Sequence, residues 1–381
     1  MKPLRIHIVG MRGLPSTYSG YETFVSHLAP QLASRGHEVT AYCRSALFRE
    51  RPTQWHGVRL RYLPSIEHKA LSTLSHSLLA IGTAALSRPD VILALNAANG
   101  WFAWMPRLLA TPIVVNVDGI EWLRPKWGRL ARLMFAIGAR LACRFSSAVV
   151  TDAVEMQRLY LERFGMETTC IAYGADIEQT RRPEMIEKFG LQPRSYFLVV
   201  GRLVPDNNAD LVVEAFRSLK SDAQLVIVGG ADYRWNERER RFHESLHRTA
   251  DRRVKFLGHI SCQDTLRELF CNSLAYIHGH EFGGTNPTLL TALGAGCMIL
   301  ALDTPFSNEV LGKGEYGLLF AKDSDDICSK MRYALANPET VAKMRTKAPE
   351  RIRERYSWEH ITDQYEALFV RLASNKSCLS A

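Results

Sequence analysis

Short runs of apolar residues recur along this chain, each followed by a longer stretch in which apolar residues return every third or fourth position. The runs at 4–10, 38–43, 91–94, 113–117 and 148–151 read as strands, and 21–35 and 127–144 as helices, the second with a basic side. The rhythm pauses after 171–176, where the polar segment TRRPEMIEKFGLQPRS reads as a linker with a short helix. It restarts at 196–201 and runs through strands 225–228, 254–257, 274–277 and 298–301, with helices at 207–219, 236–250, 263–271 and 287–294. This alternation predicts an α/β chain with two doubly wound, Rossmann-like domains facing across a cleft. The first spans 1–176 and the second 177–357. In the last helix, Trp358, Ile361, Tyr365, Leu368 and Phe369 form one apolar stripe, so 358–381 is expected to cross back onto the first domain.

With 381 residues, the chain is long enough for two cores. Its net charge of +9 is unevenly placed. Residues 1–176 hold 20 Lys and Arg against 12 Asp and Glu, whereas the rest is nearly balanced. A basic first half suits acidic substrates, nucleic acid or an anionic membrane surface, and equally serves solubility. The eight cysteines form no C-x-x-C pair and no zinc spacing, which suits reduced thiols in a cytoplasmic protein. The segment MKPLRIHIVG reads straight into a strand, so no signal peptide is expected there. No stretch reaches the roughly 18 uninterrupted apolar residues of a spanning helix. No internal repeat, low-complexity tract or nucleic-acid-binding module is visible.

The densest chemistry lies at HGHEFGGTNPTLLTALGAG, residues 278–296. A strand end runs into Gly283, Gly284, Thr285 and Asn286, and a helix with buried Leu289, Leu290 and Leu293 follows. A glycine turn at a helix start offers free backbone N–H groups where the dipole favours an anion, which points to a phosphate-bearing ligand. His278 and His280 flank Gly279 just before the turn, either near a sugar or phosphate or as a structural pair. Arg202 follows the strand that ends at Gly201, and its forked donors suit a diphosphate. The loop after the first strand contains Gly10, Gly13 and Gly20 with Arg12. It suits either close approach to a diphosphate or a purely structural turn, and its spacing is not that of a dinucleotide fingerprint. Asp118 follows the strand 113–117 and precedes Gly119. It can orient or deprotonate a hydroxyl, or cap the turn. Asp323-Ser324-Asp325 has a D-x-D spacing but opens an apolar-periodic segment, so it reads as a helix start and not a metal site.

In combination these segments resemble the family-4 glycosyltransferases of the rhamnosyltransferase type. The resemblance runs through VGMRGLPSTYSGYETFVSHLAPQLASRGHEVTAYCR at the start, VDGIEW at 117–122, VVGRLVPDNNADL at 199–211 and RVKFLGHI at 253–260. It continues in GGTNPTLLTALGAG at 283–296, DTPFSNEVLG at 303–312 and RYSWEHITDQYEALF at 355–369. It implies the GT-B fold and transfer of a sugar from a nucleoside diphosphate to a glycan or polyprenyl-linked acceptor in surface polysaccharide assembly, with retention and without metal or cofactor. The implied donor is dTDP-rhamnose. Its diphosphate and sugar would meet Gly13, Gly20, Arg202, His280, Gly283, Gly284, Thr285 and Asn286. Its nucleoside would meet His259, Ile260 and Thr291. Asp118, Glu121 and Trp122 would serve the acceptor, with Trp122 alternatively a core residue, and Asp118 and Arg202 would carry catalysis.

Three positions depart from the family pattern. The E-x7-E pair falls on Gly283 and Thr291, and the lysine after the GRL-x-P segment is Asn207. Glu281, two residues before the expected first glutamate, is a partial substitute at best. These departures keep open a non-catalytic protein that binds sugar nucleotides or glycans, and the fold alone keeps open a nucleotide-sugar epimerase. Between 122 and 144, Trp122, Arg124, Lys126, Trp127, Arg129, Arg132, Phe135, Arg140 and Arg144 interleave aromatic and basic residues. That pattern suits peripheral contact with the inner face of a membrane, or an ordinary helix with a charged outer face.

Overall fold

The computed structural model describes residues 2–15, 20–68, 71–122, 128–230 and 237–379. The chain forms two compact units, Met1–Tyr173 with Trp358–Ala381, and Gly174–Ser357.

In the first unit the described residues form an eight-stranded sheet. Its strands are β1 (Arg5–Val9), β2 (Glu38–Arg44), β3 (Gln54–Trp55), β4 (Val58–Leu63), β5 (Val91–Leu95), β6 (Ile113–Val117), β7 (Ala148–Thr151) and β8 (Thr169–Cys170). Their order is β3-β4-β2-β1-β5-β6-β7-β8. Every pairing is parallel except β3 with β4, an edge hairpin. The central strands β5 and β6 are buried at every position. That is why they appear in the sequence as unbroken apolar runs. By contrast, Arg59 and Arg61 alternate with buried residues on β4 near the edge, which hides this strand from an apolar-run search.

The helix Trp358–Leu379 belongs to this first unit. Its stripe of Trp358, Ile361, Tyr365, Leu368 and Phe369 is buried. Phe24, on the helix Gly20–Ser34, contacts the rings of Trp358 and Tyr365, and His27 stacks on Trp358 at 4.3 Å. Glu366 reaches both Arg35 and His37, at 2.5 and 3.0 Å.

In the second unit β9 (Tyr196–Val200), β10 (Gln224–Val228), β11 (Val254–Gly258), β12 (Ala275–His278), β13 (Ile299–Leu302) and β14 (Leu318–Phe320) form a six-stranded parallel sheet. Its order is β11-β10-β9-β12-β13-β14. Phe197, Phe216, Leu225, Ile277, Leu300 and Met331 lie at the centre of its core. The helix Pro287–Gly294 buries Leu289, Leu290 and Leu293, and Gly294 packs against the Asp176 carbonyl, 2.0 Å from where a Cβ would stand. Asp323 caps the helix Ser324–Ala336, accepting from Asp326 N at 2.9 Å.

Candidate functional site

The six-stranded sheet reverses its strand order between β9 and β12. From β9 the chain steps outward to β10 and β11, then returns to place β12 on the other side of β9. In doubly wound sheets ligands bind at the carboxyl ends of the strands where this reversal opens a crevice. Gly201 and Arg202 emerge from β9 there, and Gly279 and His280 from β12. Arg202 is exposed, and among the described residues its guanidinium meets no carboxylate. An exposed, uncommitted guanidinium at this point suits a diphosphate.

The two loops are held to each other by short polar side chains. Asn207, which stands where the family pattern has lysine, is buried and donates its amide to the Arg202 carbonyl at 2.8 Å. Asn208 adopts a left-handed backbone (φ 53°) and donates to the Gly279 carbonyl at 2.8 Å and to Glu281 Oε1 at 2.9 Å. Lys322 pairs with the same Glu281 oxygen at 2.5 Å. His280 Cε1 stands 3.2 Å from where a Cβ on Gly201 would be. His280 also stacks on His278, with ring centres 4.3 Å apart. His278 is buried, and desolvation, with His280 beside it, holds its imidazole well below the usual range. It stays neutral, with Tyr276 Oη 3.1 Å from its Nδ1.

At the glycine turn, Gly283 has φ 142°, and a Cβ there would meet nothing within 4 Å. Open space above a left-handed glycine lets a ligand approach the backbone. Asn286 caps the following helix, accepting from Thr288 N at 2.9 Å, with Pro287 at its first position. A pocket opens here, lined by His280, Glu281, Gly283, Gly284, Asn286, Thr304 and Ser307. Thr285 is buried. Thr291 lies one turn into the helix and donates its hydroxyl to the Pro287 carbonyl at 3.0 Å. His259 and Ile260 follow β11, two strands from β9, with His259 exposed and Ile260 partly buried.

Sequence reading missed Thr304, Ser307, Asn208 and Lys322. Thr304 carried a legible signal, because Thr-Pro announces a capped helix start. Its hydroxyl does cap the helix Pro305–Val310, accepting from Ser307 N at 3.1 Å. Lys322 carried none, since its partner Glu281 is remote in sequence.

In the first unit, Gly13 has φ 146°, and a Cβ would press into Phe48 and Cys43 at 2.6 and 2.8 Å. That glycine is required by packing. Gly20 opens the helix Gly20–Ser34, and residues 16–19 of the same loop lie outside the described residues. Buried Glu22, which sequence reading also passed over, accepts from Arg12 N at 2.7 Å. Asp118 accepts hydrogen bonds from Tyr21 and Tyr173, the latter at 3.0 Å. Burial pushes its carboxyl above the usual range, against the pull of those two hydroxyls. Glu121 is partly buried beside Gly119. Trp122 is buried edge-on against Tyr160 and Phe164, with Arg163 over its ring. Arg124, Lys126 and Trp127 lie outside the described residues.

Two parallel α/β units, each with a strand-order reversal, define the GT-B class of fold. Solved structures share it at low identity. Sucrose-phosphate synthase from Thermosynechococcus elongatus superimposes with a TM-score of 0.83 at 17% identity, covering 98% of this chain and 100% of that one. Anabaena HepE in complex with UDP gives 0.75 at 17% identity, over 97% and 100%. The catalytic domain of starch synthase IV from Arabidopsis thaliana, bound to ADP and acarbose, gives 0.77 at 14% identity, over 98% and 100%. Residues 19–173 match the glycosyl transferase 4-like domain, and residues 181–351 match glycosyl transferases group 1. The chain is therefore a glycosyltransferase of the GT-B type, with one of these domains in each half. No curated protein sequence matches it significantly.

Proposed function

We propose that this glycosyltransferase moves a deoxyhexose, rhamnose, from its dTDP donor to a hydroxyl of a glycan or polyprenyl-linked sugar in surface polysaccharide assembly. The observation that carries the reading is Arg202, uncommitted at the strand-order reversal and in the same unit as the open glycine turn. A diphosphate leaving group gains negative charge as the glycosidic C–O bond breaks, and fixed donors aimed at it lower the barrier. Arg202 supplies the charge and the turn at 283–286 supplies backbone N–H groups, so the chemistry needs no metal ion. His280, Glu281, Thr304 and Ser307 line the space for the sugar. HepE, solved with UDP and with UDP-glucose, supports a nucleotide-sugar donor. Rhamnose, the retaining outcome and the acceptor class rest on the resemblance of the motifs. In this reading Gly174–Ser357 holds the donor and the other unit the acceptor, at Asp118 and Glu121. Peripheral contact with the inner membrane face brings a lipid-linked acceptor within reach.

A panel of dTDP-, UDP- and GDP-sugars tested by calorimetry decides the donor. dTDP-rhamnose is expected to bind, and Arg202→Ala to weaken that binding by roughly tenfold or more. Binding of no nucleotide sugar, with Arg202→Ala indistinguishable from the parent, overturns the reading. A second reading, a sugar-nucleotide-binding protein without turnover, is favoured by Gly283, Thr291 and Asn207. Donor binding with no transfer to any acceptor offered would establish it.

A further inference from the structure

On one side of its sheet the first unit carries three helices that expose apolar residues and hold no acidic ones. The crossovers from β4 to β5, β5 to β6 and β6 to β7 all advance in the same direction across the sheet. Right-handed crossovers therefore lay their helices on one face. These are Ser72–Leu86, Trp104–Leu108 and Arg129–Phe145. The segment Ala97–Phe102 joins them. The first two helices pack on it and on each other, and the third packs on it where Gly100 meets Gly138. Trp101 Nε1 donates to the Met134 carbonyl at 3.2 Å, and an Arg107 guanidinium N–H to the Arg144 carbonyl at 3.4 Å.

The solvent side of this layer is unusual for a globular protein. Among the described residues, the three most exposed large apolar side chains are Leu86, Leu108 and Leu130, at 77, 75 and 73%. One lies on each helix. Leu78, Leu79, Trp104, Leu133 and Met134 are also exposed on the same three helices. Single exposed leucines need no explanation, but a cluster of this kind marks an interaction surface.

Charge selects the partner. The three helices contain no Asp or Glu, and from His68 to Thr151 the only acidic residues are Asp90, Asp118 and Glu121. Arg88, Arg107, Arg129, Arg140 and Arg144 are exposed on or beside the helices. Leucines flanked by arginines, on helices that carry no carboxylate, fit a surface that is apolar within and anionic at its rim. The acids of the next helix on this side, Glu155 and Glu162, are each paired with Arg158.

We propose that this three-helix face docks on an anionic lipid bilayer, with the leucines entering the headgroup–acyl boundary and the arginines meeting lipid phosphates. The proposal deepens the reading of a lipid-linked acceptor and rests on it. It also moves the contact, since Trp122 is a core residue and the helices 72–86 and 104–108 join the segment 129–145.

Vesicle co-sedimentation tests it, using the full chain and phosphatidylcholine vesicles with and without phosphatidylglycerol. The parent binds the anionic vesicles and is released by high salt. Leu79→Glu with Leu130→Glu, and separately Arg129→Glu with Arg140→Glu, each lower binding by about tenfold or more. Arg371→Glu, on the helix of the opposite face, leaves it unchanged. Circular dichroism and dTDP-rhamnose calorimetry on the same variants separate the outcomes. Lost vesicle binding with donor affinity intact supports the face. Failure of the parent to bind dTDP-rhamnose counts against the proposed function alone. Equal binding to neutral and anionic vesicles, or no effect of either variant pair, overturns the docking face. So does light scattering that shows the leucine variants splitting an oligomer, because the face would then join copies of this chain.

Discussion

Asn208 donates one side-chain amide both to the Gly279 carbonyl and to the Glu281 carboxylate, tying the loop after β9 to the loop after β12. Its left-handed backbone is a conformation that asparagine tolerates and most residues do not. Asn208→Gly keeps the backbone at ease and loses the two bonds, so it should destabilise by about 1–3 kcal/mol. Asn208→Ala loses the same bonds and adds about 1 kcal/mol of backbone strain. Urea unfolding is expected to rank the parent above Gly and Gly above Ala. If Ala is the more stable variant, the bonding to Gly279 and Glu281 is not what fixes this residue.

Arg202 should separate binding from stability. Its guanidinium meets no carboxylate among the described residues, so Arg202→Ala should leave the unfolding midpoint within about 0.5 kcal/mol. A charge-assisted contact to a diphosphate is worth about 1.5–3 kcal/mol, so donor affinity should fall by roughly 10- to 150-fold. Arg202→Lys should recover part of that loss, because lysine returns the charge without the fork. A fall in stability equal to the fall in affinity would make Arg202 a structural residue.

The two left-handed glycines predict opposite phenotypes. At Gly13 a methyl group meets Phe48 and Cys43 as well as backbone strain, so Gly13→Ala should cost more than about 2 kcal/mol. At Gly283 the space is open, and Gly283→Ala should cost only the strain, about 1–2 kcal/mol. Its larger effect should fall on donor affinity, since the methyl group occupies the approach to the turn. Thermal melts with and without dTDP-rhamnose read both quantities in one experiment.

The same two glycines show what a sequence can and cannot disclose. Both were visible as turn residues beside a strand end. Only the packed chain shows that Phe48 fills the space at Gly13 while nothing fills it at Gly283. Strands such as β5 and β6 were legible because both their faces are buried. β4 was not, because its arginines alternate with its core residues, and β8 and β14 are only two and three residues long. In the site, Arg202 and the turn at 283–286 follow strand ends and could be found locally. The arrangement of Asn208, Glu281 and Lys322 joins three separate loops, so no local pattern contains it. Trp122 shows the limit of composition. An aromatic beside arginines suits a ligand or a membrane, yet here it packs on Tyr160 and Phe164.

Acid should weaken both units before carboxylates titrate. Burial lowers His7 and His76 to about 4, aided by Arg5 at the first and Arg44 at the second, and holds His278 well below its ordinary value. In the unfolded chain these imidazoles titrate near 6.5. As pH falls below that value the unfolded state takes protons that the folded state refuses. For His7 and His76 stability is therefore complete above about 6.5 and is lost from there down to about 4, by at most about 1.4 kcal/mol per pH unit for each, and His278 adds a loss of the same sign. Urea midpoints measured at intervals across that window should decline, and His76→Gln should flatten the slope. A midpoint that is constant from neutrality to about pH 5 would show that these imidazoles are not held neutral by the fold.

The helix Trp358–Leu379 gives the chain an order of completion. Tyr365 and Phe369 are fully buried in a unit whose other residues end at Tyr173. During synthesis the first 173 residues therefore emerge without the side chains that seal their core, and the whole of Gly174–Ser357 is made before those side chains exist. Phe24 must wait for Trp358 and Tyr365. The half made first is thus the half whose core is supplied last, and a chain cut short before Trp358 lacks the side chains that cover Phe24.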